Sequence, residues 1–186
     1  NPGSEPVSMS GGRCPTSAPV RKYDISAINV EISLNMWLDF YPGYMYVLDE
    51  DLDKVRAEEA KNKEAREKDG FDPGAVIPGV QAQWIQPLVF RGNQGDCIKI
   101  KLSNKLEEGS GPVSLHIHGS SMVVSATGAA ATTTNPDSVV EEKKTGEFEW
   151  YLHPNIQEGV RQFHTYAQDR ELTVMGLFGA FVVEPR

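Results

Sequence analysis

From Tyr23 onward, apolar and polar positions alternate. Ile28, Val30, Ile32, Leu34 and Met36 are separated by Asn29, Glu31, Ser33 and Asn35, the two-residue period of a strand with one buried face. The pattern returns around Leu88 to Phe90, at Ile98, Ile100 and Leu102, and in "PVSLHIHG". It appears again at Phe148, Trp150 and Leu152, and twice more in "VRQFHTY" and "GLFGAFVVE". Short strands at close intervals, punctuated by glycine and proline, predict an all-β sandwich or small barrel. In "FYPGYMYVL" the pair Pro42 and Gly43 predicts a hairpin corner.

Two segments depart from this rhythm. Residues 1–20 carry four prolines and three glycines, too many breakers for a regular element, and are expected to form an extended N-terminal arm ahead of a domain spanning 21–186. Residues 49–69 are mostly charged helix formers, with Glu50 and Lys54, Glu59 and Lys63, and Glu64 and Lys68 spaced four apart for ion pairing. They predict a helical insertion. Its apolar content is chiefly Leu52 and Val55, so the helix is expected to dock one end and leave the rest in solvent, either as a solvated insertion or as a surface for a partner. "DGFDPGAVIPG" reads as the loop that returns the chain to the sheet, and "ATGAAATTTNPDS" as a second loop without periodicity.

The length, 186 residues, suits one domain with a sizeable core. A net charge of −8 repels phosphate backbones and anionic headgroups, which sets nucleic acid aside. No run of 18 apolar residues occurs, so no transmembrane segment is expected. Cys14 and Cys97 are either a disulfide pinning the arm to the sheet or two buried thiols. A chain that opens at Asn1 without a charged-then-apolar leader is expected to be a mature extracytoplasmic product, periplasmic or secreted.

The chemistry gathers at histidine. On a strand, residues two apart share a face, so His116 and His118 point together with Ser114 while Val113, Leu115 and Ile117 turn to the core. His164 and Tyr166 share a face in the same way, and their strand can lie beside the first. Three imidazoles would then converge on a metal, copper, zinc, iron or nickel being suited to such donors. The alternative is a set of ordinary surface histidines. His153, before Pro154, reads as a turn residue, and Asp169, Arg170 and Glu171 as a solvated charged loop in which Asp169 could orient an imidazole.

The run "HIHG", followed about 45 residues later by "FHTY" and then by "GLFGAFVVEP", resembles the N-terminal cupredoxin domain of multicopper oxidases. With "CPTSAPVRKYDISAINVEISLN", "MYVLDEDLDKVRAEEA" and "QPLVFRGNQGDCIKIKLSN", the likeness extends from Cys14 to Pro185, to the large bacterial members that include relatives of manganese oxidases. The resemblance implies a Greek-key β-sandwich, copper as cofactor, a type 2 ligand at His116 and type 3 ligands at His118 and His164. The family's second H-x-H motif is incomplete here, because Tyr166 stands at its second position, where a phenol could hydrogen-bond a metal-bound water.

The family's oxygen chemistry also uses a blue copper held by a cysteine with flanking histidine. No Cys-His pair exists in this sequence, and four histidines are too few for a complete trinuclear centre. The resemblance therefore implies a domain or subunit whose copper site is completed by another cupredoxin domain or subunit, in a homo- or hetero-oligomer. It would act as an oxidoreductase only within that assembly. Two other readings stand beside it: a structural interaction module with vestigial histidines, and a mononuclear site for storage or delivery.

Overall fold

A computed structural model describes residues 13–37, 39–67, 71–79, 81–167 and 170–186. Two sheets face each other. The five-stranded sheet runs β2 (Phe40–Leu48), β1 (Val20–Ser33), β4 (Cys97–Asn104), β7 (Thr145–Tyr151) and β6 (Val123–Val124). The four-stranded sheet runs β3 (Leu88–Asn93), β9 (Phe178–Glu184), β8 (Gly159–His164) and β5 (His116–Ile117). β1 pairs parallel with β4, and β3 with β9; the remaining ladders are antiparallel. Parallel neighbours need long crossovers, and the chain supplies them by passing between the sheets.

The alternation seen in the sequence becomes the core. Tyr46, Phe90, Ile98, Ile100, Phe148, Trp150, Phe163 and Phe181 fill the space between the sheets. Phe90 meets Phe163 and Phe181 edge-on, with ring centres 5.4 and 4.9 Å apart, the arrangement that aromatic quadrupoles favour. β1 is buried on both faces. Ile25 and Ala27 face this core, while Ile28 and Val30 face a second apolar cluster with Met45, Val47, Val55 and Ile85 beneath the helix α1 (Leu52–Glu67). The strand ends at Ser33, and Leu34 and Met36, expected to continue it, are exposed in the following turn.

Three further sequence expectations need correction. Pro42 and Gly43 do not make a corner: they lie inside β2, opposite Glu31 and Val30 of β1. β2 is an edge strand, where a missing N–H is tolerated, and Gly43 is required because a Cβ there would come within 2.7 Å of the Met175 carbonyl. The reversal happens earlier, where Leu34 N–H donates to the Asp39 carbonyl at 2.8 Å.

Nor does α1 dock by one end. Its buried face, Val55, Glu58, Glu59, Asn62 and Ala65, runs its whole length, and most of it is polar. Glu58 is only 5% exposed. Its carboxylate accepts backbone N–H bonds from Gln83, Trp84 and Ile85. Asn62 accepts from Ile77 N–H and donates to the Ile77 carbonyl, and Glu59 accepts from Glu31 N–H. The helix is held to the body by buried polar groups that are all answered, which a hydrophobicity pattern does not register. Of the anticipated ion pairs, Glu59 to Lys63 forms at 3.6 Å, while Lys54 turns to Asp51 at 2.7 Å; Lys68 lies outside the described residues.

Third, Arg170 and Glu171 do not sit in a loop. They begin a short helix, α2 (Arg170–Val174). Asp169 lies outside the described residues, as does the arm's first part, residues 1–12. Of the two alternatives for the cysteines, the structure takes the disulfide: Cys14 is bonded to Cys97, tying the segment before β1 to the first residue of β4.

Candidate metal centre

β5 lies at the edge of the four-stranded sheet, and its His116 is paired with His164 of β8. One residue past β5, His118 N–H donates to the Gln162 carbonyl at 2.9 Å, which keeps the chain extended enough for both histidines to stay on the outer face. Ile117 and Phe163 fill the inner face and are fully buried.

After His118 the backbone turns sharply at Gly119, whose φ is +67°. A Cβ there would meet Arg161 Nη1 at 2.7 Å, so both the left-handed backbone and the close approach require glycine. Arg161 donates to the carbonyls of Gly119 and Gln157 at 3.4 and 3.2 Å, fastening this turn to the start of β8.

The outer face thus gathers three imidazoles and a phenol. Ring centres of His118 and His164 are 5.0 Å apart, those of His116 and His118 5.5 Å, and those of His116 and His164 6.5 Å. Tyr166 lies against both His164 and His116, at 4.2 and 4.7 Å. The nearest approach of donor atoms is between His118 Nε2 and His164 Nε2, 2.9 Å.

The tautomer of His164 follows from its other nitrogen. Nδ1 is 2.9 Å from the Thr165 carbonyl and must donate to it, which leaves the Nε2 lone pair facing His118. That carbonyl also accepts from Thr173 Oγ1 of α2 at 3.1 Å, so the short helix orients the imidazole through Thr165. A backbone acceptor on the remote nitrogen is the usual companion of a ligating histidine.

Beneath these residues lies a buried network that the sequence did not disclose. Thr165 Oγ1 accepts from Ser114 N–H and Ala167 N–H at 3.0 and 3.3 Å, and Ser114 Oγ accepts from Tyr166 N–H at 2.8 Å. Tyr46 donates to the Ser114 carbonyl at 2.5 Å, and burial pushes its phenol well above the ordinary range. The readable signal was Thr165 itself: a hydroxyl in the core-facing row between Phe163 and Ala167 must find partners.

Electrostatics favour an uncharged His116. Burial, and then the neighbouring His118 and His164, hold the His116 imidazole below its ordinary value, in the neutral form that can donate a lone pair to a metal. The test of fit is mixed. Two imidazole nitrogens at 2.9 Å suit one cation bonded to each at about 2.0–2.1 Å. Among the described residues, however, no group of three or more histidine, cysteine, aspartate or glutamate side chains stands close enough to hold a metal ion. The chain brings two imidazole nitrogens together, with the His116 ring beside them.

His153 caps a turn, its Nδ1 accepting from Asn155 N–H at 3.2 Å. Both cysteines of the chain are consumed by the disulfide, so neither can supply a blue-copper thiolate.

Comparison with known proteins adds to this geometry. Residues 63–186 match the sequence profile described as multicopper oxidase. A solved multicopper oxidase is 19% identical with a TM-score of 0.56, the match covering 94% of this chain and 46% of that one. The copper nitrite reductase from Nitrosomonas europaea is 12% identical, with a TM-score of 0.56 over 90% of this chain and 42% of its own. The McoA multicopper oxidase of the hyperthermophile Aquifex aeolicus is 12% identical, with a TM-score of 0.52 over 94% of this chain and 30% of its own. At these identities the likeness carries the cupredoxin-like sandwich fold, and the chain spans less than half of each. No curated protein matches the sequence.

Proposed function

The chain belongs to the multicopper oxidase family, whose cofactor is copper, and we propose that it is the N-terminal cupredoxin domain of a larger copper oxidoreductase. In this reading His118 and His164 supply a type 3-like pair and His116 a type 2-like ligand to a centre that another cupredoxin domain or subunit completes. The observation that carries it is the meeting of His118 Nε2 and His164 Nε2 at 2.9 Å, with the His164 tautomer set by the Thr165 carbonyl. Bound copper would supply one-electron redox chemistry and an oxygen-binding position. The chain's own residues orient the imidazoles, keep His116 neutral and exclude water from the inner side through Ile117 and Phe163.

The surface around the pair supports the partner. The outer face of the four-stranded sheet leaves Val160 69%, Val89 53% and Phe178 41% exposed, and Phe178 is paired with His164, which is paired with His116. An apolar face continuous with unfinished ligands suits a second protein surface that brings the missing donors. Electrons must reach the site from outside the chain, since it has no free thiolate. The disulfide favours an oxidising, extracytoplasmic compartment, and no helix among the described residues is long and apolar enough to cross a membrane.

A second reading, a cupredoxin module that works by assembly alone, draws on Tyr166 in place of an imidazole. Copper titration against a competing chelator separates the two. His118→Ala and His164→Ala should each weaken binding by about 100-fold or more, the loss expected when a ligand is removed outright rather than a supporting partner. Unchanged affinity in both variants would leave the assembly reading.

A further inference from the structure

Beside His116 the surface opens into a cleft of about 20 Å³, lined among others by Ser114, His116, Thr132, Ser138 and Tyr166. Ser138 is 7% exposed, and its hydroxyl is buried without a hydrogen-bond partner among the described residues. A buried hydroxyl left unanswered is costly and uncommon.

The walls of the cleft are fixed. Ser138 ends a short helical turn (Pro136–Ser138) capped by Asn135, whose Oδ1 accepts from Asp137 N–H at 3.0 Å. Just beyond, Val113 and Val140 exchange backbone bonds of 3.0 and 2.7 Å, clamping this segment to the chain that enters β5. Ser114 Oγ already accepts from Tyr166 N–H, which leaves its own proton free to donate. Unlike His164, His116 has no hydrogen bond to its ring among the described residues.

We propose that this cleft is a binding site for one ordered water, held by the Ser138 hydroxyl and set against the His116 ring. The volume exceeds the roughly 10–15 Å³ that one water needs, and hydroxyls and an imidazole supply its two to four partners. The water gives the His116 ring a partner as the Thr165 carbonyl does for His164; because water both donates and accepts, it is the hydroxyls of Ser138 and Ser114 that orient it and so bias which ring nitrogen carries the lone pair. Ser138 is a positioning residue acting through that water. The consequence for copper rests on His116 being a ligand, as proposed above; the water site itself does not.

The test uses the metal-free protein at one neutral pH. Ring nitrogen chemical shifts of His116 report its tautomer, and a high-resolution crystal structure reports the cleft. Wild type should show one dominant tautomer and a water bonded to Ser138. Ser138→Ala should lose the water and mix the tautomers, and Ser138→Thr, which restores a hydroxyl, should recover the wild-type ratio. A dry cleft with Ser138 bonded to protein, or identical His116 shifts in all three proteins, overturns the proposal. Copper titration of the same proteins separates it from the metal reading, because Ser138→Ala should weaken binding about 10-fold. A changed tautomer with unchanged copper affinity removes His116 from the ligand set and leaves the water site standing.

Discussion

Replacing Glu58 tests whether α1 is integral to the domain. Its carboxylate accepts from Gln83 N–H and Ile85 N–H, each at 3.0 Å, and from Trp84 N–H at 3.3 Å. Hydrogen bonds to a charged acceptor contribute about 1.5–3 kcal/mol each. The three share one side chain and the 81–87 loop relaxes partly toward water, so their losses do not add. Glu58→Ala should therefore destabilise by about 3–5 kcal/mol, a large fraction of the roughly 5–15 kcal/mol that holds a domain together. Glu58→Gln keeps an acceptor oxygen but aims an amide donor at the same N–H groups, and should cost about 2–3 kcal/mol. Urea unfolding at pH 7 with the disulfide intact measures both. A loss below about 1 kcal/mol for Glu58→Ala, within the range of ordinary surface substitutions, would refute the argument and return α1 to the status of a solvated insertion.

Other consequences are equally specific. Replacing Cys14 and Cys97 together by Ser should lower stability by about 2–4 kcal/mol, and reductant should then no longer shift the unfolding midpoint; a midpoint equal to that of the oxidised wild type would contradict it. Gly119→Ala forces a side chain into φ +67° and against Arg161, for a cost of about 1–2 kcal/mol from the backbone alone, read by thermal unfolding. Tyr166→His places an imidazole beside His164, 4.2 Å from where the phenol ring now sits; copper affinity measured by chelator competition should rise, and no gain would mean that this position faces away from the metal.

The framework was legible because its strands carry a strict two-residue period. Phe148, Trp150 and Leu152 point inward as their spacing required, and the odd-numbered residues around His116 and His118 bury as expected. That parity also puts His116 and His118 on one shared face, opposite Leu115 and Ile117. What escaped was held by polar atoms. Glu58 and Asn62 look like solvent-facing helix residues until the loop whose backbone they satisfy is seen. Thr165, Ser114 and Tyr46 form their network across three separate segments, and no local pattern links them. Pro42 misled because a proline in a run signals a turn unless the strand lies at a sheet edge, which is a property of the assembled sheet. The helix α2 was missed for a similar reason: five residues are too few for a period to show.

The account turns on His118 and His164 binding one copper ion as a pair, and pulsed electron paramagnetic resonance of the copper-loaded chain tests this most directly. Coupling to the remote ring nitrogens should count at least two equivalent imidazoles in wild type, and one fewer in His164→Ala and in His118→Ala. A spectrum without imidazole coupling, or one that neither substitution changes, would contradict it.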